Sequence, residues 1–250
     1  MCTLIIGRDV LGPRTVVLAA NRDEDPSRPT DPPRVLRENP RVVGGRDRLA
    51  GGTWLALRES KAAVALLNRH DPERGSPPSG RRSRGLLTLD VATADGVSLS
   101  AAALERALRA VGDVAYAPFN LVFASPEICW VVVVDGDGAR HQEIPPGWHV
   151  LTHRELDDPG EPRAAWLLER LAPIRPLSWV EARDQVAALL REHGEGAHPP
   201  VCLHQGRMRT VSSSLIRLGD EGTRYEHVEG RPCERGYEDR STLLSGPQRG

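Results

Sequence analysis

Met1-Cys2-Thr3-Leu4-Ile5-Ile6-Gly7, a Gly12-Pro13 turn, and Thr15-Val16-Val17-Leu18-Ala19-Ala20-Asn21-Arg22-Asp23-Glu24 decide how this chain is read. The two apolar runs form a strand and its returning partner, since β-branched residues favour strands and Gly-Pro favours a turn. Near-continuous apolarity, rather than alternation, predicts strands buried on both faces. The returning strand ends in an amide, a guanidinium and two carboxylates, and the hairpin carries that polar rim back beside the start of the chain. Cys2 is therefore expected in one cleft with Arg22 and Asp23. Alternation sets Arg22 and Glu24 on one side and Asp23 on the other, unless the strand ends at Asn21.

A cysteine at position 2 has two readings. Met1 is commonly removed before a small residue, and Cys2 then carries both a thiol and a free α-amine. That amine, with a reference pKa of about 8, can serve as base for the thiol of its own residue. Arg22 would favour the thiolate and Asp23 would orient the ammonium. The plainer reading makes Cys2 a small core hydrophobe.

Composition bounds the rest. The 250 residues are 39% hydrophobic and 27% charged, which is a soluble globular balance. No linker or repeat divides them, so a single domain over 1–250 is expected. A net charge of −1 argues against a general nucleic-acid binder. Cys2, Cys129, Cys202 and Cys233 are widely separated, with neither a paired metal spacing nor a disulfide framework. No metal site is predicted, and a reducing, cytoplasmic location is the default. No apolar stretch approaches the roughly 18 residues of a membrane span, and the first residues lack the charged n-region and long h-region of a signal peptide. Oligomeric state is open.

Along the chain, residues 25–40 carry five prolines and read as a loop, either a binding rim or a rigid surface connection. Gly44-Gly45 and Gly51-Gly52 read as tight turns flanking Arg46 and Asp47. A second hairpin, 53–57 with 62–67, turns through Ser60, holds Trp54 and ends in Asn68. A Gly/Pro/Ser-rich loop, 70–82, precedes helices at 83–94 and 100–111. Strands follow at 119–124, 128–134, 139–144 and 148–153, the middle pair joined by Asp135-Gly136-Asp137-Gly138. His149 and His153 share a strand face there, as ordinary strand histidines or as a metal or haem pair. Pro162 opens one helix and the capping box Ser178-Trp179-Val180-Glu181 another. Strands at 201–204, 208–218 and 223–228 lead into a tail expected to be irregular from about 231. This order gives an α+β fold of two antiparallel sheets, each covered by helices.

The opening Met1-Cys2-Thr3, Ala20-Asn21-Arg22-Asp23-Glu24 and Ser27-Arg28-Pro29 carry a resemblance. So do Gly44-Gly45-Arg46-Asp47, Gly51-Gly52-Thr53-Trp54-Leu55, Asn68, Ser83-Arg84-Gly85-Leu86 and Pro118-Phe119-Asn120-Leu121. Together they resemble the NRDE-motif family, also called the transport and Golgi organisation family. The resemblance implies a four-layer αββα fold of the N-terminal nucleophile hydrolase type, and a link to haem handling and lipid metabolism. It implies an amidohydrolase acting on a small-molecule C–N bond, with Cys2 as nucleophile and Arg22, Asp23 and Asn68 in support. Asn68 corresponds to an asparagine that helps bind the oxyanion in related amidases. Asn21, Glu24, Trp54, His153 and Arg209 are the expected substrate or ligand contacts. No cofactor is required; the alternatives are a non-enzymatic carrier holding haem or a lipid-like ligand in the same cleft, and a scaffold whose family motif preserves only the fold. Two positions depart from the family. His153 stands where an asparagine is usual, and Val211 stands where an arginine precedes the paired serines, with Arg209 two residues away on the same face.

Overall fold

The computed structural model describes residues 2–59, 61–69, 81–194 and 198–246. In chain order its first elements are β1 (Thr3–Arg8), β2 (Val16–Glu24), β3 (Thr30–Glu38), β4 (Arg41–Asp47), β5 (Leu55–Arg58) and β6 (Ala62–Asn68). Helices α1 (Arg84–Ala92) and α2 (Leu99–Asp113) lead to β7 (Phe119–Ala124), β8 (Cys129–Asp135), β9 (Gly138–Glu143) and β10 (Gly147–Leu151). Helices α3 (Pro162–Leu171) and α4 (Trp179–Leu190) precede β11 (Arg209–Leu218), β12 (Arg224–Glu229) and β13 (Glu238–Asp239), and a 3-10 turn spans Ser241–Leu244. Among the described residues, two antiparallel sheets and four helices make this an α+β chain. No described helix is long and apolar enough to cross a membrane.

The chain forms two compact units, one from the described residues of Met1–Arg28 and Pro145–Ser241, the other from those of Pro29–Ile144 and Thr242–Gly250. In the first, a six-stranded sheet runs β10-β1-β2-β11-β12-β13. The opening hairpin pairs Leu4 with Ala20 and Ile5 with Ala19. Ile5, Ala19, Val150 and Leu215 pack against Ala164 and Leu167 of α3 and Val186 and Leu190 of α4. Leu4, Ile6, Leu18 and Ala20, on the opposite face, are equally buried. Both faces are dry, as the unbroken apolar run requires. Each such leucine or isoleucine contributes about 1.5–3 kcal/mol of burial energy. Pro162 occupies the first turn of α3, where its missing N–H costs nothing. Ser178 caps α4 by accepting from Glu181 N, while Glu181 reaches back to Leu177 N at 2.8 Å.

The second unit is a seven-stranded meander, β3 through β9 in sequence order, with α1 and α2 packed on it. Leu87, Val91, Ala103 and Ala107 of the helices meet Phe119, Leu121, Phe123 and Trp130 of the strands. The Phe123 and Trp130 rings stack at 5.1 Å.

Four sequence expectations change. Residues 25–40 do not form a loop throughout, because β3 occupies Thr30–Glu38. Pro32 and Pro33 are tolerated there since β3 is an edge strand whose register shifts between Asp31 and Arg34. Gly44-Gly45 lies inside β4 rather than at a turn; a Cβ on Gly44 would meet the Leu55 carbonyl oxygen at 2.3 Å. The stretch 201–204 is not a strand. The tail from Arg231 is not irregular throughout its described residues: Tyr237 Oη lies 2.8 Å from Ser213 Oγ, and β13 pairs with β12. The turn through Ser60 and residues 70–80 of the expected loop lie outside the described residues.

Gly52 marks the tightest approach. A Cβ there would sit 2.2 Å from the Gly85 carbonyl carbon and 2.5 Å from Leu86 N, both backbone atoms at the start of α1. Thr53 N also donates to Gly85 O at 3.1 Å. Backbone cannot step aside as a side chain can, so Gly52→Ala is expected to destabilise by about 2 kcal/mol or more. Gly112, exposed near the end of α2 with nothing within 4 Å of its added Cβ, supplies the control. Gly112→Ala is expected to stabilise by about 0.5 kcal/mol. Urea unfolding of the two variants checks both signs.

Candidate active site

Cys2 immediately precedes β1 and is half-buried. Its Sγ donates to the Asp23 carbonyl oxygen at 3.7 Å. Thr3 pairs with Asn21, so one step further along the ladder Cys2 is level with Arg22 and on the same face. Arg22 is buried, and its Nη2 lies 3.6 Å from Glu24 Oε2. Arg28 Nε reaches the same Glu24 oxygen at 3.7 Å. A thiol, a buried guanidinium and a partly exposed carboxylate thus line one face of the β1–β2 end, because β2 stays extended through Glu24.

The alternate residues face the helices. Asn21 Nδ2 donates to Leu190 O at 2.8 Å and to Val201 O at 3.0 Å, tying α4 to the following segment on the helix face rather than the rim. Asp23 accepts from Thr210 Oγ1 at 2.7 Å, and its other oxygen lies 3.5 Å from Arg163 Nη1. Arg163 Nη1 also donates to Thr3 Oγ1 at 3.0 Å.

A bulge in β11 makes this division work. Thr210 pairs with Asp23 and Ser212 with Arg22, two residues against one, leaving Val211 as the extra residue. Thr210 is thereby aimed at the helix face and Ser212 at the Arg22 face. The bulge also breaks the two-residue period that grouped Arg209 with Val211. Arg209 instead pairs across from Glu24, is exposed, and turns its Nε to Gly206 O at 3.2 Å.

Asn68 is exposed at the end of β6, and Trp54 is half-buried just before β5; both belong to the second unit. His149 has Nδ1 2.6 Å from Asp157 Oδ2 and Nε2 2.9 Å from Pro145 O, so both of its nitrogens are engaged. It is not free to ligate a metal or haem beside His153. His153 lies two residues past β10, half-buried, and its Nδ1 has no hydrogen-bond partner among the described residues. The β1–β10 ladder ends at Leu4 with Leu151, two residues short of both Cys2 and His153.

Burial pushes the Cys2 thiol above its ordinary pKa, the Asp23 carboxylate adds to the rise, and Arg22 pulls the other way. Burial likewise raises Asp23, more than Arg163 and Thr210 lower it. His153 is lowered, by desolvation first and by Arg154 and Arg163 with it, against the opposing pull of Glu161; its imidazole is neutral at neutral pH.

Sequence reasoning missed Arg163 and Thr210. Arg163 did leave a signal: a cation in the first turn of a helix opposes the macrodipole, so it needs a carboxylate partner elsewhere. Arg163→Met is expected to cost about 3 kcal/mol by leaving the buried Asp23 carboxylate without its cation. The sign with pH follows. Loss of Arg163 raises the folded-state pKa of Asp23 further above its unfolded value, so the penalty is full above that folded pKa and fades as pH falls through it. Urea unfolding of both proteins at neutral and mildly acid pH, with a gap that closes in acid, checks this.

The sequence profile of the family described as Transport and Golgi organisation 2 matches residues 1–190. A Bos taurus protein, Transport and Golgi organization protein 2 homolog, is 29% identical over 255 residues, covering 94% of this chain and 89% of that protein. Among solved structures, the Caenorhabditis elegans N-acylethanolamine-hydrolyzing acid amidase ortholog superposes with a TM-score of 0.60 at 15% identity, covering 86% of this chain and 92% of that one. Penicillin V acylase from Agrobacterium tumefaciens gives a TM-score of 0.55 at 14% identity, covering 92% of this chain and 83% of the acylase. At such identities the likeness shows the fold, which is that of the N-terminal nucleophile hydrolases. On that fold and with that profile match, the chain belongs to the Transport and Golgi organisation 2 family.

Proposed function

We propose that the protein is an amidohydrolase of the N-terminal-cysteine type, cleaving the amide bond of a small N-acylated molecule. The observation that carries this reading is the Cys2 thiol, held 3.7 Å from the Asp23 carbonyl oxygen and level with the buried Arg22, at the end of the central hairpin. It is supported by the solved structures of similar fold, whose names describe an N-acylethanolamine-hydrolyzing amidase and an acylase.

The chemistry begins with loss of Met1, which lies outside the described residues. Cys2 then bears its own α-amine, which takes the thiol proton. This step is needed because burial and Asp23 keep the thiol protonated. Arg22 stabilises the resulting thiolate. The sulfur attacks the amide carbon; collapse of the tetrahedral adduct breaks the C–N bond, and the leaving amine takes the proton from the Cys2 ammonium. A water molecule, deprotonated by the same amine, then hydrolyses the thioester and releases the carboxylic acid. The Asp23 carbonyl holds the thiol in place before attack, and the Asp23 side chain anchors that carbonyl through Thr210 and Arg163.

Intact mass of protein from its native source is expected to show Met1 absent, and a thiol-reactive probe should label Cys2 well before the fully buried Cys129. Against a panel of N-acyl amides that includes an N-acylethanolamine and penicillin V, Cys2→Ala should lower turnover of whichever is cleaved by roughly a thousandfold or more. Retained Met1 in the native protein, or equal turnover by Cys2→Ala, overturns the assignment.

A further inference from the structure

We propose that His193, Cys202, His204 and Cys233 form a tetrahedral zinc site, separate from the Cys2 cleft and structural in role. Their ligand atoms all lie within 4.8 Å of one another. Cys202 Sγ is 3.5 Å from Cys233 Sγ and 3.8 Å from His204 Nε2, and His204 Nε2 is 3.1 Å from Cys233 Sγ. The His193 and His204 rings meet edge to face at 4.5 Å between centroids.

Zinc bound by thiolate at about 2.3 Å and imidazole at about 2.05 Å requires edges of about 3.8 Å between sulfurs and about 3.6 Å between sulfur and nitrogen. The three distances among Cys202, His204 and Cys233 fall within about 0.5 Å of these edges, and His193 stands within 4.8 Å of all three. Two cysteines and two histidines are the donor set of closed structural zinc sites. Both thiols lose their protons to solvent when the ion binds, leaving two thiolates and two neutral imidazoles around it. An outer partner is also in place: Glu234 Oε1 lies 3.9 Å from His204 Nδ1, the nitrogen that faces away from the sulfurs.

The position in the fold gives the site its purpose. His193 follows α4, Cys202 and His204 sit in the segment before β11, and Cys233 sits between β12 and β13. None of the four lies in a regular element. One ion would staple three irregular segments to one another. The stapled segment is the one that fixes the cleft from behind. Val201 O accepts from Asn21, while Leu203, between two of the ligands, receives Thr210 N on its carbonyl and donates its own N–H to Thr210 Oγ1 at 2.8 Å.

The test uses the full chain, purified under reductant, equilibrated with zinc sulfate and desalted. One zinc per chain is expected by elemental analysis, with less than about a tenth of that in Cys202→Ser and Cys233→Ser and full occupancy in Cys129→Ser. Cobalt(II) in place of zinc should give the visible absorption of a tetrahedral thiolate complex. If the serine variants do not fold, His193→Ala decides. His193 is exposed, so its removal costs little packing, and a loss of about tenfold or more in zinc affinity with an unchanged circular dichroism spectrum supports the site. Wild-type protein that holds under a tenth of an equivalent overturns it. So do zinc binding that is unchanged in all the variants, and a Cys202–Cys233 disulfide that persists in the reductant.

Discussion

The first unit depends on where the Asp23 carboxylate is put. It is 3% exposed on the central strand β2, a position at which an unpaired charge would cost several kcal/mol. Arg163 from α3 and Thr210 from β11 offset that cost from two directions. The carboxylate therefore fixes the start of a helix and the start of a strand relative to β2, and neither partner is satisfied if the other element shifts. Pulling the side chain toward the helices leaves the Asp23 carbonyl on the Cys2 side. One residue thus supplies an anchor through its side chain and a thiol acceptor through its backbone.

The bulge at Val211 follows from the same constraint. In a regular ladder Val211 would lie level with Arg22 and Ser212 would turn to the helix face. The bulge leaves Val211 over and brings Ser212 level with Arg22 instead, at the cost of one unpaired position. Asn21 extends the arrangement by one more step along β2. Its amide binds carbonyls of α4 and of the segment at Val201, so consecutive helix-facing residues of a single strand fasten the ends of α3, α4 and β11.

Much of this frame was legible in the sequence. Unbroken apolar runs marked the doubly buried hairpin, and the caps at Pro162 and Ser178 marked α3 and α4, because those signals are local. What escaped depends on tertiary neighbours. The edge position of β3 permits Pro32 and Pro33 in a strand, and no local pattern announces an edge. The bulge at Val211 defeated a period argument that assumed a regular strand. Asn21 read as part of the polar rim because its residue type fits a site, while alternation turns it to the helices. The four-ligand cluster escaped because spacing rules find metal sites only when ligands come in local pairs. Here only Cys202 and His204 are close in sequence, and the fold brings up His193 and Cys233. His149 stayed open to a metal or haem reading for want of Asp157, eight residues away.

The electrostatics of the cleft bear on how the proposed chemistry is switched on. Burial and the Asp23 charge both hold the proton on Cys2, and Arg22 alone does not reverse them. A thiol in that setting is a poor nucleophile until a base is brought to it. The α-amine exposed on Cys2 by loss of Met1 is such a base. It is attached to the same residue, so no side chain has to move to deliver it. Burial also keeps the His153 imidazole neutral. The same low-dielectric setting that raises the thiol pKa strengthens the attraction between Arg22 and the thiolate once the proton has gone. Reactivity is thereby tied to processing of the chain end rather than to the resting acidity of the cysteine.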